Sequence, residues 1–348
     1  MEMSMATVRS LGLLAAAAAA TSLVISAAPA QAATSYVALG DSYSSGTGTR
    51  SYINDGTACK RSTHAYPSLI AAAKGLTLNF RACSGAKIPD VTNTQLSALS
   101  ASTTHVSISI GGNDAGFADV LTECAMPGWA SNCNGAIDGA QNYINNVLSG
   151  QLSTLYTSIR SKAPNAKVVV VGYPRVFMGE DCNAFTWFSP SEQTRLNQTA
   201  DLLNSKTSAA AGAKGFTFAN PTSRFLGHAV CDSPEWINGL SSPIDESYHP
   251  NVAGQSGGYA PTVSPPLTGS AFKLTAATAK KARASAERLA AQQRTYAVQD
   301  ASITPKEFRA PDLSTPEVKA AAARAGVDLS SRASIDAADR VWSARQAR

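Results

Sequence analysis

The sequence has few of the residues that build a metal centre or a nucleotide site. Its four histidines are scattered, and its six cysteines form no closely spaced pairs of the kind that bind zinc. The segment Gly46-Thr47-Gly48 begins like a dinucleotide-binding loop, but Ser51 occupies the third glycine position. No acidic residue follows at the distance that such a loop requires. We therefore expect neither a metal ion nor a cofactor.

Long apolar runs are also scarce, and the main one lies near the N-terminus. Arg9 precedes an alanine-rich run over Leu11–Ala28, and the small-x-small pattern Ala30-Gln31-Ala32 follows it. This arrangement is typical of a secretory signal peptide, so we predict residues 1–32 as a leader and a secreted, extracellular mature protein beginning at Ala33. A membrane anchor is the alternative, but no basic stop-transfer cluster follows the run. We expect no stable membrane anchor.

Most of the chain lacks an excess of basic charge. The net charge is +5, but the segment 271–348 alone carries 14 basic and 8 acidic residues. Residues 33–270 are therefore slightly acidic, and no basic face is expected on the folded domain. This distribution argues against nucleic acid as a partner.

The even number of cysteines fits an exported protein with three disulfides. Six cysteines allow fifteen pairings. Cys124 and Cys133 are close in sequence around Pro127-Gly128, so we expect them to pair with each other, which suggests that neighbours pair in order. The six are Cys59, Cys83, Cys124, Cys133, Cys182 and Cys231.

Apolar runs alternate with segments of helical character between residues 33 and 260. This alternation predicts a doubly wound α/β sheet with helices on both faces. The unbroken run Val168–Val171 indicates a strand that is buried on both faces, as in a parallel sheet. The predicted strands are Tyr36–Leu39, Leu76–Ala82, His105–Ile110, Lys167–Val171 and Phe216–Ala219.

The character of the sequence changes after Tyr259. We predict that residues 261–348 comprise a proline-rich linker and an alanine-rich, basic, partly helical tail that packs weakly. Parts such as 276–289 and 316–325 have high helix propensity. A solvated tail is the favoured interpretation, and contact with anionic lipid or a wall polymer is the alternative.

Four loops with reactive or small residues follow predicted strands. They contain Ser42, Gly85, Asn113 and His249. In an open parallel sheet such loops meet at the carboxyl edge of the strands, which is where binding sites form. Asp41 and Ser42 also have the composition of a helix N-cap, and this is the structural alternative.

These residue types fit acyl transfer. A serine nucleophile needs a base, and His249 is the best candidate. Structural roles are expected for His64 and His105, whereas His228 is placed to line a cleft. The Asn113 amide and the backbone N–H groups of Gly85 and Ser42 are candidate donors to an oxyanion. Alternatively, the stretch Gly111–Asp114 is a turn in which Asp114 caps a helix.

The chain resembles the SGNH, or GDSL-type, hydrolases, and especially the secreted actinomycete lipases and phospholipases of that superfamily. Four blocks match in order: Gly40-Asp41-Ser42, Gly85, Gly111-Gly112-Asn113-Asp114 and His249-Pro250-Asn251. The resemblance covers residues 35–259. It implies a three-layer α/β/α fold with a five-stranded parallel, flavodoxin-like sheet.

The resemblance also implies roles for individual residues. Ser42 is the nucleophile, His249 is the base, and Ser42, Gly85 and Asn113 form the oxyanion hole. The implied disulfides join Cys59 to Cys83, Cys124 to Cys133, and Cys182 to Cys231.

One position departs from the usual superfamily pattern. Many members have an aspartate three residues before the histidine, where this chain has Glu246, with Asp245 one step further back. In the secreted actinomycete branch that the chain resembles, a main-chain carbonyl two residues before the histidine can take this role. The resemblance therefore favours the carbonyl of Ser247 as the group that orients His249, with Glu246 as the alternative.

The predicted function is that of a monomeric serine esterase or lipase acting on an ester lipid. Phospholipase A and polysaccharide acetylesterase activities are alternatives, as are an acyltransferase or a catalytically silent lipid- or carbohydrate-binding protein. Six aromatic side chains are candidates either for an acyl groove or for core packing. They are Phe117, Trp129, Phe177, Phe185, Trp187 and Phe188.

Overall fold

In this computed structural model, the structure describes residues 1–3, 5 and 34–346. The core of the predicted leader, Leu11–Ala28, and its cleavage site lie outside the described residues. Five parallel strands form one sheet in the order β2-β1-β3-β4-β5, which is the flavodoxin-like order expected. The strands are β1 (Ser35–Gly40), β2 (Thr77–Phe80), β3 (His105–Ser109), β4 (Lys167–Val171) and β5 (Thr217–Ala219). All five predicted strands are therefore confirmed, with ends that differ by at most two residues.

The central strands are apolar because they are covered on both faces. Val168 to Val171 in β4 are all buried, and so are Val37 to Leu39 in β1. The first eight helices are α1 (Ser42–Ser45), α2 (Tyr66–Lys74), α3 (Ile88–Asp90), α4 (Phe117–Cys124), α5 (Cys133–Tyr143), α6 (Ser149–Lys162), α7 (Pro190–Gly212) and α8 (Ala260–Thr268). Helices α2 and α8 pack together, helices α5, α6 and α7 pack together, and both groups contact the sheet.

Short helical turns complete the region up to α8. Turns of π-helix span Val91–Gln95, Ile144–Leu148 and Gly254–Tyr259, and turns of 3₁₀-helix span Leu96–Ala98, Gly128–Ala130, Thr222–Arg224 and Ile244–Glu246. The π-helical turn Ile144–Leu148 joins α5 directly to α6, so the backbone is helical from Cys133 to Lys162. The long helix α7 begins with a capping box, in which Ser189 and Glu192 satisfy each other's backbone N–H groups.

The predicted proline-rich linker is a helix in the structure. Pro261 follows directly on the π-helical turn Gly254–Tyr259, and Pro265 and Pro266 lie inside α8. Val263 and Leu267 are buried, and α8 contacts β3, β4 and β5. The expectation of a linker was wrong because apolar residues spaced four apart give the segment a face that packs on the sheet.

The C-terminal tail, residues 271–346, also packs more closely than expected. It forms α9 (Ala276–Ala284), α10 (Ala286–Arg294), α11 (Ala297–Asp300), α12 (Pro316–Ala325) and α13 (Arg332–Gln346). Helix α9 lies against α2, and α10 lies against β2. The tail belongs to the same compact unit as the sheet.

A buried ion cluster attaches this tail to the sheet. The Asp300 carboxylate accepts hydrogen bonds from Arg81 at 2.9 and 3.1 Å and from Arg61 at 2.6 Å. Both arginines are fully buried, and burial lowers the pKa of Arg81, although Asp300 opposes this. Arg61 is also paired with the buried Asp55 at 2.8 Å, so the cluster holds two cations and two carboxylates, and Arg81 has its ion pair with Asp300 of the tail. The expectation of a weakly packed tail failed because it considered apolar residues alone.

The disulfides match those implied by the family resemblance. Cys59 pairs with Cys83, Cys124 with Cys133, and Cys182 with Cys231. Over the described residues, no helix is both long enough and apolar enough to cross a bilayer.

Candidate active site

The carboxyl edge of the sheet brings together the four loops singled out in the sequence. Ser42 follows β1, Gly85 follows β2, and Asn113 follows β3. His249 comes from the loop after β5, and these four residues line one small cavity. The structure therefore places every predicted catalytic and oxyanion residue at one site.

A sharp turn positions Ser42. Gly40 has φ +119°, and a Cβ on it would lie 2.3 Å from the carbonyl oxygen of Ser109, so only glycine fits between these strands. The Asp41 carboxylate then caps α1 by accepting a hydrogen bond from Tyr43 N at 3.0 Å. The capping role considered from the sequence is real, and it aims Ser42 at the cavity.

Asp41 is held by more than the helix cap. Its carboxylate accepts hydrogen bonds from the Ser109 hydroxyl at 2.9 Å and from the Tyr173 hydroxyl at 2.5 Å. Burial raises the pKa of Asp41 to about 6, although these hydrogen bonds lower it. Tyr173 is a supporting residue that the sequence analysis did not identify, because its position after β4 carries no motif.

His249 contacts both the serine and a main-chain carbonyl. Its Nε2 lies 2.9 Å from Ser42 Oγ, and its Nδ1 lies 2.9 Å from the carbonyl oxygen of Ser247. Because a carbonyl can only accept, Nδ1 carries the proton and Nε2 is free to accept one from Ser42. Burial lowers the pKa of His249 to about 4, with Lys60 adding to this effect and both the Ser247 carbonyl and Asp245 opposing it. The imidazole is therefore neutral at neutral pH.

The loop that carries His249 is fixed by groups that no motif indicates. Tyr43 donates its hydroxyl hydrogen to the carbonyl oxygen of Tyr248 at 2.8 Å. Asn238 N donates to the carbonyl oxygen of His249 at 2.9 Å. Tyr248 itself has φ +60°, and its ring is fully buried. Residues adjacent to the motifs thus hold the histidine in register with Ser42.

Glu246 points away from the histidine. Its Oε1 accepts a hydrogen bond from the Tyr52 hydroxyl at 2.5 Å, and its Oε2 lies 3.5 Å from Arg50 Nε. The side chain is almost fully buried in this separate cluster. The geometry thus favours Ser247 over Glu246 as the group that orients His249.

Two candidate oxyanion donors lie beside Ser42. The Asn113 amide donates one hydrogen bond to the carbonyl oxygen of Ala86 at 3.1 Å, which fixes its orientation and leaves its second N–H available. Gly85 has φ +80° and lines the same cavity. Asp114 accepts from the backbone N of Ile88 at 3.1 Å, a contact with the start of α3. It does not cap α4, the helix that follows the turn, because that helix begins after Gly116 without a side-chain cap.

An apolar pocket of about 80 Å³ opens beside Ser42. Phe117 and Phe177 line it, whereas Phe185 is exposed and Phe188 is buried against Phe177 and Tyr248. The apolar members of its lining also include Ala115, Val120, Leu121, Ala140, Ile144, Val176, Leu196 and Leu203. Two of the six candidate aromatic residues therefore line the pocket.

The other histidines lie elsewhere. His105 contacts Thr104, and the ring of His228 stacks on Trp236 at 3.8 Å while its Nδ1 lies 2.7 Å from the Pro234 carbonyl oxygen. Over the described part of the chain, no cluster of three or more histidine, cysteine or acidic residues is arranged to hold a metal ion.

Comparison with known proteins gives consistent matches. Residues 38–256 match the model of the GDSL-like lipase/acylhydrolase family. The chain is 48% identical over 240 residues to Lipase 1 of Streptomyces coelicolor, which covers 68% of this chain and 88% of that protein. Crystal structures of phospholipase A1 from Streptomyces albidoflavus NA297 and of an extracellular lipase from Streptomyces rimosus superpose with TM-scores of 0.65 and 0.64, both at 44% identity. Each alignment covers 68% of this chain and all of the other.

Proposed function

Because the chain belongs to the GDSL-like lipase/acylhydrolase family, and is therefore a carboxylic ester hydrolase, we propose that it hydrolyses lipid esters through an acyl-enzyme formed on Ser42. The observation that carries this proposal is the continuous line of contacts from Ser42 Oγ through the His249 ring to the Ser247 carbonyl, each 2.9 Å long. A nucleophile, a base and a group that orients the base are thus in register.

In this mechanism, Ser42 Oγ attacks the ester carbonyl while His249 Nε2 takes its proton. The imidazolium then donates that proton to the departing alcohol, which leaves the acyl group on Ser42. A water molecule, activated by the same nitrogen, attacks the acyl-enzyme and releases the acid. The Ser247 carbonyl keeps Nδ1 protonated throughout, so the pair works as a dyad without a carboxylate.

Negative charge on the tetrahedral oxygen requires donors that are already in place. The second N–H of the Asn113 amide and the backbone N–H groups of Ser42 and Gly85 are the proposed donors. Anchoring of the Asn113 amide on the Ala86 carbonyl supports this assignment, because a donor that is already oriented needs no rearrangement during the reaction.

The apolar pocket beside Ser42 supports a lipid acyl chain as the part of the substrate bound there. Its walls are mostly aliphatic and aromatic, and the few polar residues that line it include Ser42 and Asn113. A glycerophospholipid is a second candidate substrate, favoured by the 44% identity to a protein described as phospholipase A1. Both substrates present a carboxylic ester to the same residues.

Secretion is part of the proposal. The N-terminal sequence has the pattern of a signal peptide, and the mature chain from Ala33 carries three disulfides, which persist in oxidising compartments. The hydrolase domain would then begin at Ala33 and include α8, which packs on the sheet, and the C-terminal tail follows it.

The deciding experiment compares the mature chain with Ser42→Ala on 4-nitrophenyl esters of increasing acyl length and on phosphatidylcholine. We expect activity that rises with acyl length and falls by about 10⁴-fold or more in the variant. Ser153→Ala, on helix α6, is the matched control and should retain full activity. Unchanged hydrolysis by Ser42→Ala would refute the acyl-enzyme, and product analysis with an added alcohol separates hydrolysis from acyl transfer.

A further inference from the structure

The C-terminal tail returns to the active site. Ser42 and His249 form one side of the small cavity at the sheet edge, together with the proposed oxyanion donors. The other side is formed by residues 305–308 of the tail. We call residues 304–308 the strap. It lies about 220 positions beyond Gly85 in the sequence and outside the family match over residues 38–256.

The strap touches the proposed oxyanion site directly. A Cβ on Gly85 would lie 2.4 Å from Pro305 Cα and 2.6 Å from Pro305 Cβ, so the two backbones are in van der Waals contact. The space left between the strap and Ser42 is about 20 Å³. Such a volume holds a single water molecule or a group of similar size. The apolar pocket on the acyl side of Ser42 is about four times larger.

Contacts on both sides of the site hold the strap in this position. Phe308 is 4% exposed, and its ring packs edge-on against Tyr248 with the centroids 4.9 Å apart. Lys306 Nζ lies 2.6 Å from Asp119 on helix α4, and the Arg309 backbone N donates to Thr122 Oγ1 at 3.0 Å. The strap therefore spans from the histidine loop to the helix that borders the acyl pocket.

The larger elements before and after the strap are also fixed to the rest of the molecule. Asp300 precedes it in the buried ion cluster. Asp339 follows it on α13 and accepts a hydrogen bond from Gly128 N at 2.7 Å, and the Trp342 ring packs on that glycine. With both ends fixed, the strap can open only by local displacement of residues between these anchors.

We propose that the strap selects the alcohol portion of the ester, and this rests on the proposed function. With the acyl chain in the apolar pocket, the alcohol portion points toward the strap. Esters of small alcohols such as methanol react with the strap in place. Esters of bulky alcohols such as glycerides react only after the strap moves away from Gly85, and each such turnover carries the free energy of opening it.

The test keeps the acyl group constant and varies the alcohol. The mature full-length chain and its Phe308→Ala variant are assayed on methyl octanoate, 2-naphthyl octanoate and trioctanoylglycerol. Loss of the buried ring weakens the closed strap, so we expect the ratio of kcat/KM for the two bulky esters over the methyl ester to rise by about tenfold or more. Val318→Ala on helix α12 removes buried apolar volume from the same tail away from Ser42 and should leave the ratio unchanged.

A second variant, Pro305→Gly, tests the strap independently if Phe308→Ala fails to fold. Pro305→Gly removes the ring carbons that contact Gly85 and frees the strap backbone, without touching the Phe308 anchor. It should raise the same ratio by a smaller factor. A folded Phe308→Ala or Pro305→Gly protein with the wild-type ratio, or a lower one, overturns the strap proposal. Absence of hydrolysis of all three esters by the unmodified chain and by both variants overturns the proposed function instead.

Discussion

The two parts of the molecule contribute to the active site in different ways. Residues 38–256 match a known family and supply Ser42, Asn113 and His249. Residues 271–346 lie outside that match and supply no candidate catalytic group, yet they line the cavity opposite Ser42, beside the proposed oxyanion donors, and complete a buried ion cluster. A segment outside the family match is thus structurally inseparable from the part that carries the chemistry.

The contrast between the two parts depends on how strongly the tail is bound to the sheet. Asp300→Asn tests this binding, and we expect it to have the largest effect of the variants considered. The variant keeps the shape of the side chain but leaves Arg61 and Arg81 without their shared carboxylate. Removing one partner of a buried ion cluster costs about 3–5 kcal/mol, because a buried charge remains uncompensated. We expect urea denaturation to show a loss of this size in the free energy of unfolding.

The matched control makes the same change in an exposed pair. Asp201 on α7 accepts hydrogen bonds from Arg175, but both side chains are partly exposed to solvent. Asp201→Asn should therefore cost less than about 1 kcal/mol. Equal, small losses in the two variants would mean that the tail is not anchored through Asp300.

Asn113→Ala tests the proposed oxyanion hole in residues 38–256, the part that matches the family. If the Asn113 amide stabilises the oxyanion, its removal should lower kcat by about 10²–10³-fold while the unfolding transition changes little. The kcat of both proteins is measured on 4-nitrophenyl esters of increasing acyl length. A rate within a few-fold of the unmodified enzyme would remove Asn113 from the oxyanion hole and leave the backbone donors alone.

Much of this site could be predicted from sequence because its residues sit in local patterns. The Gly40–Ser42 turn, the Gly111–Asp114 turn and the His249 block each follow a recognisable strand or motif, and parallel strands bring such loops to one edge. The strap had no such signal. Phe308 is an isolated aromatic residue among prolines and charged residues, and its packing on Tyr248 depends on the path of the whole tail.

The close packing of the tail could not be predicted from sequence for the same reason, because it depends on contacts between distant residues. Sequence patterns report faces that pack locally, and the tail has thin apolar stripes. Its attachment uses a charge cluster in which Arg61, Arg81 and Asp300 are separated by up to 239 positions. Burial of the two arginines, and hence their need for a carboxylate, becomes evident only in the folded structure.

The pH dependence of catalysis links the two parts through His249. Its lowered pKa, about 4, results mainly from burial, and the strap contributes to that burial by closing the cavity that His249 lines. A base works when it is neutral, so kcat/KM should persist above this pKa and fall as the pH drops through it. In Phe308→Ala, water enters the cavity, and the pKa should rise toward 6.5.

The expected shift of the acid limb is about one pH unit upward in Phe308→Ala, measured on methyl octanoate. Lys60 and Asp245 face the ring from the matched part, and their opposite effects are the same in both proteins. When the strap opens, Lys306 and Glu307 move away from the His249 ring together, and the effects of their opposite charges on its pKa largely cancel. Asp41, with its pKa near 6, has no described hydrogen bond to the strap, so its titration should be unchanged. A superimposable acid limb would show that the strap does not bury His249.

The smallest effect is expected at Glu246, a buried carboxylate close to the histidine in sequence that the mechanism leaves out. Glu246→Gln keeps an acceptor for the Tyr52 hydroxyl, so the His249 loop should stay in place and turnover should fall by less than about threefold. If Glu246 instead oriented the imidazole, the same change would lower kcat by about 10⁴-fold. A steady-state kcat on 4-nitrophenyl octanoate distinguishes the two. Near-normal turnover leaves Ser247 O as the partner of Nδ1, so that His249 acts beside an uncharged group and its pKa is governed by burial, to which the strap contributes.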